Sequence, residues 1–373
     1  MNPLLRYLIP LLASLGISMA QAETVTDLAG RQVEVPAKVE RVLLGEGRML
    51  YTMALLEGND PLQRVVGWQG ELSTVDPQGY AAYRKQFPEI DDIPKIGRTS
   101  EASVSAEKVL ALQPDIAIFG IAGHGPGKTN PLVDELTQAG VPVVFIDFRQ
   151  HPLTNTVPSL RLLGKVLHRE PQAEAYLAFY EARQQRISER LATVPQDKRP
   201  SVFIEMLAGI GPGLVCCHTA GKGNFGEFIE AAGGHNIAAD LLPGVIGDIN
   251  LEHLISADPD VYLVSGVAGN ELENSGVKAG AGVTLEKARS SLQAITQREG
   301  IATLSAIKTG RVHGIWHNYY NSPDNILALE AFAKWFHPEL FADVDLDETF
   351  RELQRFVPVP LQGAYWYDLR AGL

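Results

Sequence analysis

Residues 104–116 read VSAEKVLALQPDI and residues 249–261 read INLEHLISADPDV, so one short unit is written twice in the chain. Each copy has a helical pattern that ends at a Pro-Asp pair, where an apolar strand begins. Glu107 and Glu252 both stand seven residues before the proline of their copy. A helix followed by a strand is a common connection, so the repeat alone predicts only a shared αβ unit in two parts of the chain.

The sequence around each copy alternates short apolar runs with helical patterns. The first block, residues 23–147, contains RVLLGEG, RVVGWQG, DIAIFG and VPVVFIDF, and the second, from residue 201 onwards, contains DVYLVSG and RVHGIWH. Alternation of this kind predicts βαβ units with a mainly parallel sheet in each block. We therefore predict an α/β protein made of two Rossmann-like lobes.

A long helical segment lies between the two blocks. It runs from about residue 156 to residue 191, with aromatic residues at helical spacing and Arg, Gln and Glu at the other positions. The one internal break in the pattern is at Glu170-Pro171. We predict that this segment forms one long backbone helix that joins the lobes and limits their closure to a small angle.

The amino terminus has the pattern of a secretory signal peptide. Arg6 precedes a mostly apolar stretch, and Ala20-Gln21-Ala22 forms a small-residue cleavage site before Glu23. The apolar stretch is shorter than the roughly 20 residues that span a bilayer. No cysteine lies near the end of this stretch, since the two cysteines of the chain are Cys216 and Cys217. We expect cleavage after Ala22 and a free periplasmic protein that is not a lipoprotein.

Composition limits the classes of function. With 45% hydrophobic and 20% charged residues the chain can bury a full core, and its net charge of −12 argues against nucleic acid and anionic lipid as partners. We expect a monomer with a signal peptide at 1–22, an amino-terminal lobe at 23–154, a linking helical segment at 155–195 and a carboxy-terminal lobe at 196–373.

Arginine and aromatic residues follow the apolar runs in both blocks. Ligands of open α/β sheets lie beyond the carboxyl ends of the strands, so these residues are candidates for a ligand cleft. Arginines suit an anionic chelate and aromatic rings suit its organic body. The candidate ligand-binding residues are Arg48, Tyr51, Trp68, Arg98, His124, Arg149, Trp316, Tyr319 and Tyr320.

The whole of the chain after residue 22 resembles the binding proteins of importers for ferric siderophores, haem and cobalamin. The resemblance rests on TVTDLAGRQVEVPAKVERVL at 24–43, on the two glutamate-containing units, and on FIEAAGGHNIA at 228–238. It implies two lobes linked by one long helix, no catalysis and no cofactor. It also implies that Glu107 and Glu252 dock into arginine-containing pockets of an ABC permease dimer at the inner membrane, since arginine binds carboxylate bidentately.

Three arginines at strand ends favour an anionic Fe(III)-siderophore complex as the ligand. Haem is an alternative, with His124, Tyr51, Tyr319 or Tyr320 as axial ligand, and cobalamin is another. A periplasmic metallochaperone using His313 and His317 is less favoured, because residues four apart share a face only in a helix and RVHGIWH is typical of a strand. We therefore expect no metal site of the protein's own.

Two local sequence features, a glycine-rich loop and a pair of adjacent cysteines, indicate other kinds of chemistry. AGHGPGKT at 122–129 resembles a relaxed phosphate-binding loop of a nucleotide hydrolase, but Ala122 replaces a required glycine and Pro126 removes a backbone donor. Cys216 and Cys217 are adjacent, and Cα atoms across a trans peptide lie about 3.8 Å apart, closer than the usual 4.4–6.8 Å of a disulfide. We expect two thiols, with a disulfide between neighbours as the alternative.

Overall fold

The computed structural model describes residues 23–210, 216–269 and 276–369, so the predicted signal peptide at 1–22 lies outside the described residues. The strands are β1 Glu23–Thr26, β2 Gln32–Val35, β3 Val42–Leu44, β4 Val65–Gln69, β5 Lys95–Gly97, β6 Ile116–Gly120, β7 Val143–Ile146, β8 Ser201–Met206, β9 His218–Ala220, β10 His235–Asn236, β11 Ile246–Asp248, β12 Val261–Gly266, β13 Gly280–Ala281, β14 Val312–Trp316, β15 Gly363–Ala364 and β16 Trp366–Asp368. The α-helices are α1 Leu50–Glu57, α2 Leu72–Val75, α3 Pro77–Gln86, α4 Ala106–Ala111, α5 Leu132–Gln138, α6 Pro152–Leu167, α7 Glu170–Leu191, α8 Phe225–Ala231, α9 Leu251–Ala257, α10 Leu285–Thr296, α11 Ser305–Thr309, α12 Ile326–Phe336 and α13 Leu346–Leu353.

Two five-stranded sheets form the centres of the two lobes. The amino-terminal sheet has the order β5-β4-β3-β6-β7 and is parallel throughout. The carboxy-terminal sheet has the order β10-β8-β12-β14-β16, in which only the edge strand β16 runs antiparallel to its neighbour. The inner strands are almost fully buried along their length, as continuous apolar runs in parallel sheets are when helices cover both faces. The predicted α/β fold is confirmed.

The segment between the lobes contains two helices. Helix α6 ends at a left-handed His168 with φ of 53°, and α7 begins at Glu170 with Pro171 in its first turn. The prediction of one helix from residue 156 to 191 was wrong in this respect, because the break at Glu170-Pro171 separates two helices that pack on each other. Helix α7 is the backbone helix. It has 22 residues, is about 33 Å long, and packs against α1 of the first lobe and α12 of the second.

The repeated unit occupies the same place in each lobe. Ser105 caps α4 and Asn250 caps α9, each through its side-chain oxygen and a backbone N–H three residues on. The two prolines are followed by Asp115 and Asp260, whose carboxylates accept backbone N–H groups at the start of the neighbouring strands, β3 and β8. The two copies are therefore equivalent in structure as well as in sequence.

Cys216 and Cys217 form a disulfide. The expectation of two thiols was wrong because it assumed a trans peptide, whereas the peptide between these residues is cis and their Cα atoms lie 3.0 Å apart. Across residues 23–210, 216–269 and 276–369, no helix combines the length and apolar character needed to cross a membrane.

Candidate functional site

A cavity lies where the carboxyl ends of β3, β6 and β7 meet the segment that follows β14. Its volume is about 360 Å³ with the open solvent at its mouth included. Its position agrees with the expectation that ligands of α/β sheets lie beyond the carboxyl ends of the strands. The lining residues are Glu46, Arg48, Met49, Thr52, Gly120, Ala122, Ile146, Asp147, Phe148, Arg149 and Asn321.

Arg48 is buried on the floor of this cavity. Its Nη2 donates to Oε2 of Glu46 at 2.9 Å, and its Nη1 donates to the Tyr320 hydroxyl of the other lobe at 3.2 Å. Its Nε lies 3.7 Å from Oε1 of Glu71. The guanidinium thus lies between two carboxylates. Burial lowers the pKa of Arg48, but Tyr320, Glu46 and Glu71 together raise it above its usual value. Arg48 carries a permanent positive charge between the lobes.

Glu46 connects three parts of the site. Its carboxylate accepts the backbone N–H groups of His124 and Gly125 and the side-chain amide of Asn321. Burial alone would raise the pKa of Glu46, but the positive charges of Arg48 and Arg149 outweigh burial and lower it to about 2. Glu46 is therefore ionised at any physiological pH.

Arg149 is the second guanidinium of the cavity. It lies over the ring of Tyr320, with 5.3 Å from its Cζ to the ring centroid. Its Nη1 is buried, and no described residue accepts a hydrogen bond from it. Asp147 shapes the loop by accepting the backbone N–H groups of Arg149, Gln150 and His151. Nε of Arg48 also lacks a hydrogen-bond acceptor, but it lies 3.7 Å from the Glu71 carboxylate. Nη1 of Arg149 is therefore the charged donor that is best placed for a ligand.

Glu71 is the second carboxylate beside Arg48, and its protonation changes the charge next to that guanidinium. It accepts the backbone N–H groups of Gly47 and Arg48 at 2.9 and 3.0 Å. Its burial raises its pKa to about 7, with help from the negative charge of Glu46 and against the pull of Arg48. The net charge of the site therefore changes near neutral pH.

The histidines beside the cavity carry no charge at neutral pH. Burial, Arg48 and Arg149 lower the pKa of His124 to about 4. The same three influences hold the pKa of His317 well below its usual value, and its Nδ1 lies 2.9 Å from the Ser265 hydroxyl. Positive charge at the cavity therefore comes from the two arginines.

Three predicted aromatic residues pack against one another between the lobes. The ring of Trp316 meets those of Tyr51 and Tyr319 edge to face, with centroids 6.3 and 5.1 Å apart. All three side chains are buried, and the Tyr51 hydroxyl donates to Asp76 at 2.5 Å. These rings form an interlobe contact beside the cavity and are absent from its lining.

Trp68 and Arg98 are not brought to the cavity. Trp68 was expected after a strand, but it falls inside β4 and its side chain is buried in the amino-terminal core. Arg98 follows β5, the outer strand of its sheet, and is exposed. The sequence could not distinguish these positions from Arg48, because it shows neither where β4 ends nor that β5 lies at the edge of the sheet.

Other sequence features supply no charged side chain to the cavity. In the loop at 122–129, the backbone N–H groups of His124 and Gly125 are directed at Glu46, and Lys128 is exposed. His313 lies at the opposite end of β14 from His317, stacked on Trp335. The described residues contain no group of three or more His, Cys, Asp or Glu placed to hold a metal ion.

Four residues that organise the site were missed by the sequence interpretation, namely Glu46, Glu71, Asp147 and Asn321. Glu46 was open to prediction, because an acidic residue between Gly45 and Gly47 directly follows the apolar run of β3. Glu71 and Asn321 had no comparable signal, since their roles depend on contacts with segments distant in sequence.

The chain belongs to a family of periplasmic binding proteins: the sequence model with the description "Periplasmic binding protein" matches residues 59–318. The chain is 24% identical over 367 residues to the molybdate-binding protein MolA of Haemophilus influenzae, with 92% of each chain covered. It is 29% identical over 230 residues to a cobalamin-binding protein of Halobacterium salinarum, with 61% of this chain and 53% of that protein covered.

Solved structures share the fold. The TroA-like periplasmic binding protein FepB from Veillonella parvula superposes with a TM-score of 0.81 at 24% identity, covering 93% of this chain and 99% of that chain. Molybdate-bound MolA superposes with a TM-score of 0.69 at 20% identity, covering 91% and 99%. The predicted relationship to the binding proteins of ABC importers is confirmed.

Proposed function

We propose that this protein captures an anion in the cavity between its lobes and delivers it to an ABC permease. The observation that carries the proposal is the unpaired, buried Nη1 of Arg149. Leaving a buried charged donor without a partner costs at least about 1–3 kcal/mol, which an anionic ligand would recover. Arg48 is paired with Glu46 and Glu71, whereas Nη1 of Arg149 has no hydrogen-bond acceptor among the described residues.

Among the candidate ligands, a compact oxyanion requires the smallest rearrangement of the cavity. Drug-sized ligands occupy pockets of about 300–1,000 Å³, whereas the interior of the cavity measures about 20 Å³, roughly the room that one water molecule needs. Any ligand therefore requires the lobes to open, and a small anion requires the least opening. Arginine forks and amide groups bind the oxygens of such anions directionally. The relative MolA is described as molybdate-binding, which supports a tetrahedral oxyanion of this kind.

An anionic ferric siderophore is the second candidate. The two arginines suit its carboxylates, and Tyr320 supplies an aromatic surface beside them. Such a ligand needs more room, so the contacts from Arg48 to Tyr320 and from Glu46 to Asn321 would have to open. Haem and cobalamin are less favoured, because Tyr51, Trp316 and Tyr319 pack against one another rather than lining an open face.

Delivery would occur in the periplasm after removal of residues 1–22. Glu107 and Glu252 are exposed in the first turns of α4 and α9. Equivalent carboxylates on two lobes suit a permease dimer that presents arginine twice.

Calorimetric titration with molybdate, tungstate, sulfate, ferric citrate, haem and cobalamin tests the ligand class. We expect binding of one or more of the anions, strongest for a tetrahedral oxyanion, and an affinity roughly ten- to a hundredfold weaker in Arg149→Ala. Native mass spectrometry of protein purified from its own periplasm would weigh a retained ligand directly. Tight binding of cobalamin, with no response to any anion, would refute the proposal.

A further inference from the structure

Two exposed aliphatic side chains occupy the same position in the two repeated helices. Four large hydrophobic side chains in the described part of the chain are exposed, namely Leu110, Leu241, Ile255 and Leu285. Leu110 on α4 is 37% exposed and Ile255 on α9 is 39% exposed. Each follows the glutamate of its helix by three residues. Two of the four exposed residues therefore occupy equivalent positions in the two repeated units.

The spacing places each aliphatic side chain next to its glutamate. Residues three apart share a helix face, with Cβ atoms about 5–6 Å apart. Both glutamates are exposed and lie in the first turn of their helices. Helix α4 leads into β6 and α9 leads into β12, so each helix starts at the carboxyl edge of its sheet, where the cavity also lies. The two pairs therefore lie on the cleft side of the two lobes.

We propose that these pairs, Glu107 with Leu110 and Glu252 with Ile255, are two docking patches for the permease. The inference rests on the proposed importer function and adds an apolar component to the contact. A single exposed leucine is ordinary on a protein surface. A matched pair on two equivalent helices fits a partner that presents one surface twice, as the two subunits of a permease dimer do. That surface carries an apolar hollow beside a cationic group.

The two kinds of side chain have different effects in such a contact. An exposed ion pair contributes little by itself, because water and salt screen it. An aliphatic side chain that enters a hollow excludes water from the charges beside it and so strengthens their attraction. The glutamates then determine where the lobes dock, and Leu110 and Ile255 supply affinity through their buried apolar surface.

Binding of the full protein to its permease in lipid nanodiscs, followed by surface plasmon resonance, tests this inference. The test variant is Leu110→Ser with Ile255→Ser. The matched control is Leu241→Ser with Leu285→Ser, which removes two somewhat more exposed side chains outside the docking patches. We expect the dissociation constant to rise about tenfold or more in the test variant and to stay within twofold in the control. Each single replacement should produce part of the effect, because sites on separate lobes act additively.

The outcomes separate the inference from the function on which it rests. Wild-type protein that binds the anion but does not bind the permease would overturn the importer function and the inference together. Wild-type protein that binds the permease, with equal affinity in the test and control variants, would overturn the docking patches alone. Circular dichroism and an unchanged anion titration verify that the test variant is folded, and Leu110→Met with Ile255→Met should retain wild-type docking.

Discussion

Asn321 donates a hydrogen bond of 3.0 Å from its Nδ2 to Oε2 of Glu46, and this bond crosses from the second lobe to the first. The Arg48–Tyr320 hydrogen bond of 3.2 Å crosses at the same place. Glu46 and Arg48 also line the cavity. The proposed ligand site and the contact between the lobes therefore share the same charged groups, so we expect a change in one to alter the other.

Arg149→Ala should weaken anion binding by roughly ten- to a hundredfold. A charge-assisted hydrogen bond contributes about 1.5–3 kcal/mol, and each 1.4 kcal/mol is a factor of ten in affinity. Arg149 is the variant of choice because Arg48→Ala would also leave Glu46 and Glu71 without their cation. Arg98→Ala is the control, since Arg98 is exposed and outside the cavity lining. Equal losses in the two calorimetric titrations would place the ligand elsewhere.

Anion affinity should increase severalfold as the pH falls from 8 to 6. The pKa of Glu71 is raised to about 7, so this carboxyl gains a proton over that range and one negative charge beside Arg48 is removed. Glu46, with a pKa of about 2, and His124, with a pKa of about 4, do not titrate there. Calorimetry in two buffers of different ionisation enthalpy should detect proton uptake on binding.

Glu71→Gln provides the control for this pH dependence. The amide keeps the size of the side chain but cannot titrate, so its affinity should vary much less between pH 6 and pH 8. A variant that keeps the wild-type slope would show that another group is responsible.

The lobes and their repeated units were predictable because both follow from local patterns. Apolar runs such as those of β6 and β7 are buried on both faces of a parallel sheet, and their alternation with helices leaves few topologies. The equivalence of Glu107 and Glu252 was visible because the two units have the same length and end at the same Pro-Asp pair.

The cavity itself was only partly predictable. Arg48 and Arg149 directly follow strands whose ends meet, so the rule about strand ends found them. Trp68 and Tyr51 have the same kind of sequence context, but the strand alternation and the helix face direct their side chains into packed regions. Of the two carboxylates beside Arg48, Glu46 is only two residues away, whereas Glu71 comes from a separate segment after β4. The neighbouring arginines lower the pKa of Glu46 against the effect of burial, and burial raises that of Glu71.

Asn321→Ala should speed ligand release. The variant removes one hydrogen bond between the lobes, worth about 0.5–1.5 kcal/mol, so the dissociation rate should rise roughly three- to tenfold. Stopped-flow tryptophan fluorescence can follow the release. Asn321→Asp should have a larger effect, because it places a second negative charge next to Glu46. Identical rates in wild type and both variants would show that this bond does not hold the lobes together.

Replacing both Glu107 and Glu252 by alanine should abolish uptake while anion affinity stays within a few fold. Both carboxylates are exposed and neither belongs to the cavity lining, so their loss should affect docking and not capture. Glu286→Ala is a matched control, because Glu286 is exposed in the first turn of α10 but belongs to neither repeated unit. Uptake that persists in the double variant would refute the docking role.

Ligand binding should change the angle between the lobes by only a few degrees. Two arginines connect α7 to buried carboxylates of both lobes. Arg169, which directly precedes α7, pairs with Glu57 of α1 at 2.9 Å, and Arg186 within α7 pairs with Glu330 of α12. A helix about 33 Å long resists bending between such anchors. Small-angle scattering with and without saturating ligand should give nearly superimposable curves. Glu330→Ala removes the second anchor, so a larger change on binding is expected there; a large closure in the wild type would contradict the role of α7 as a rigid link.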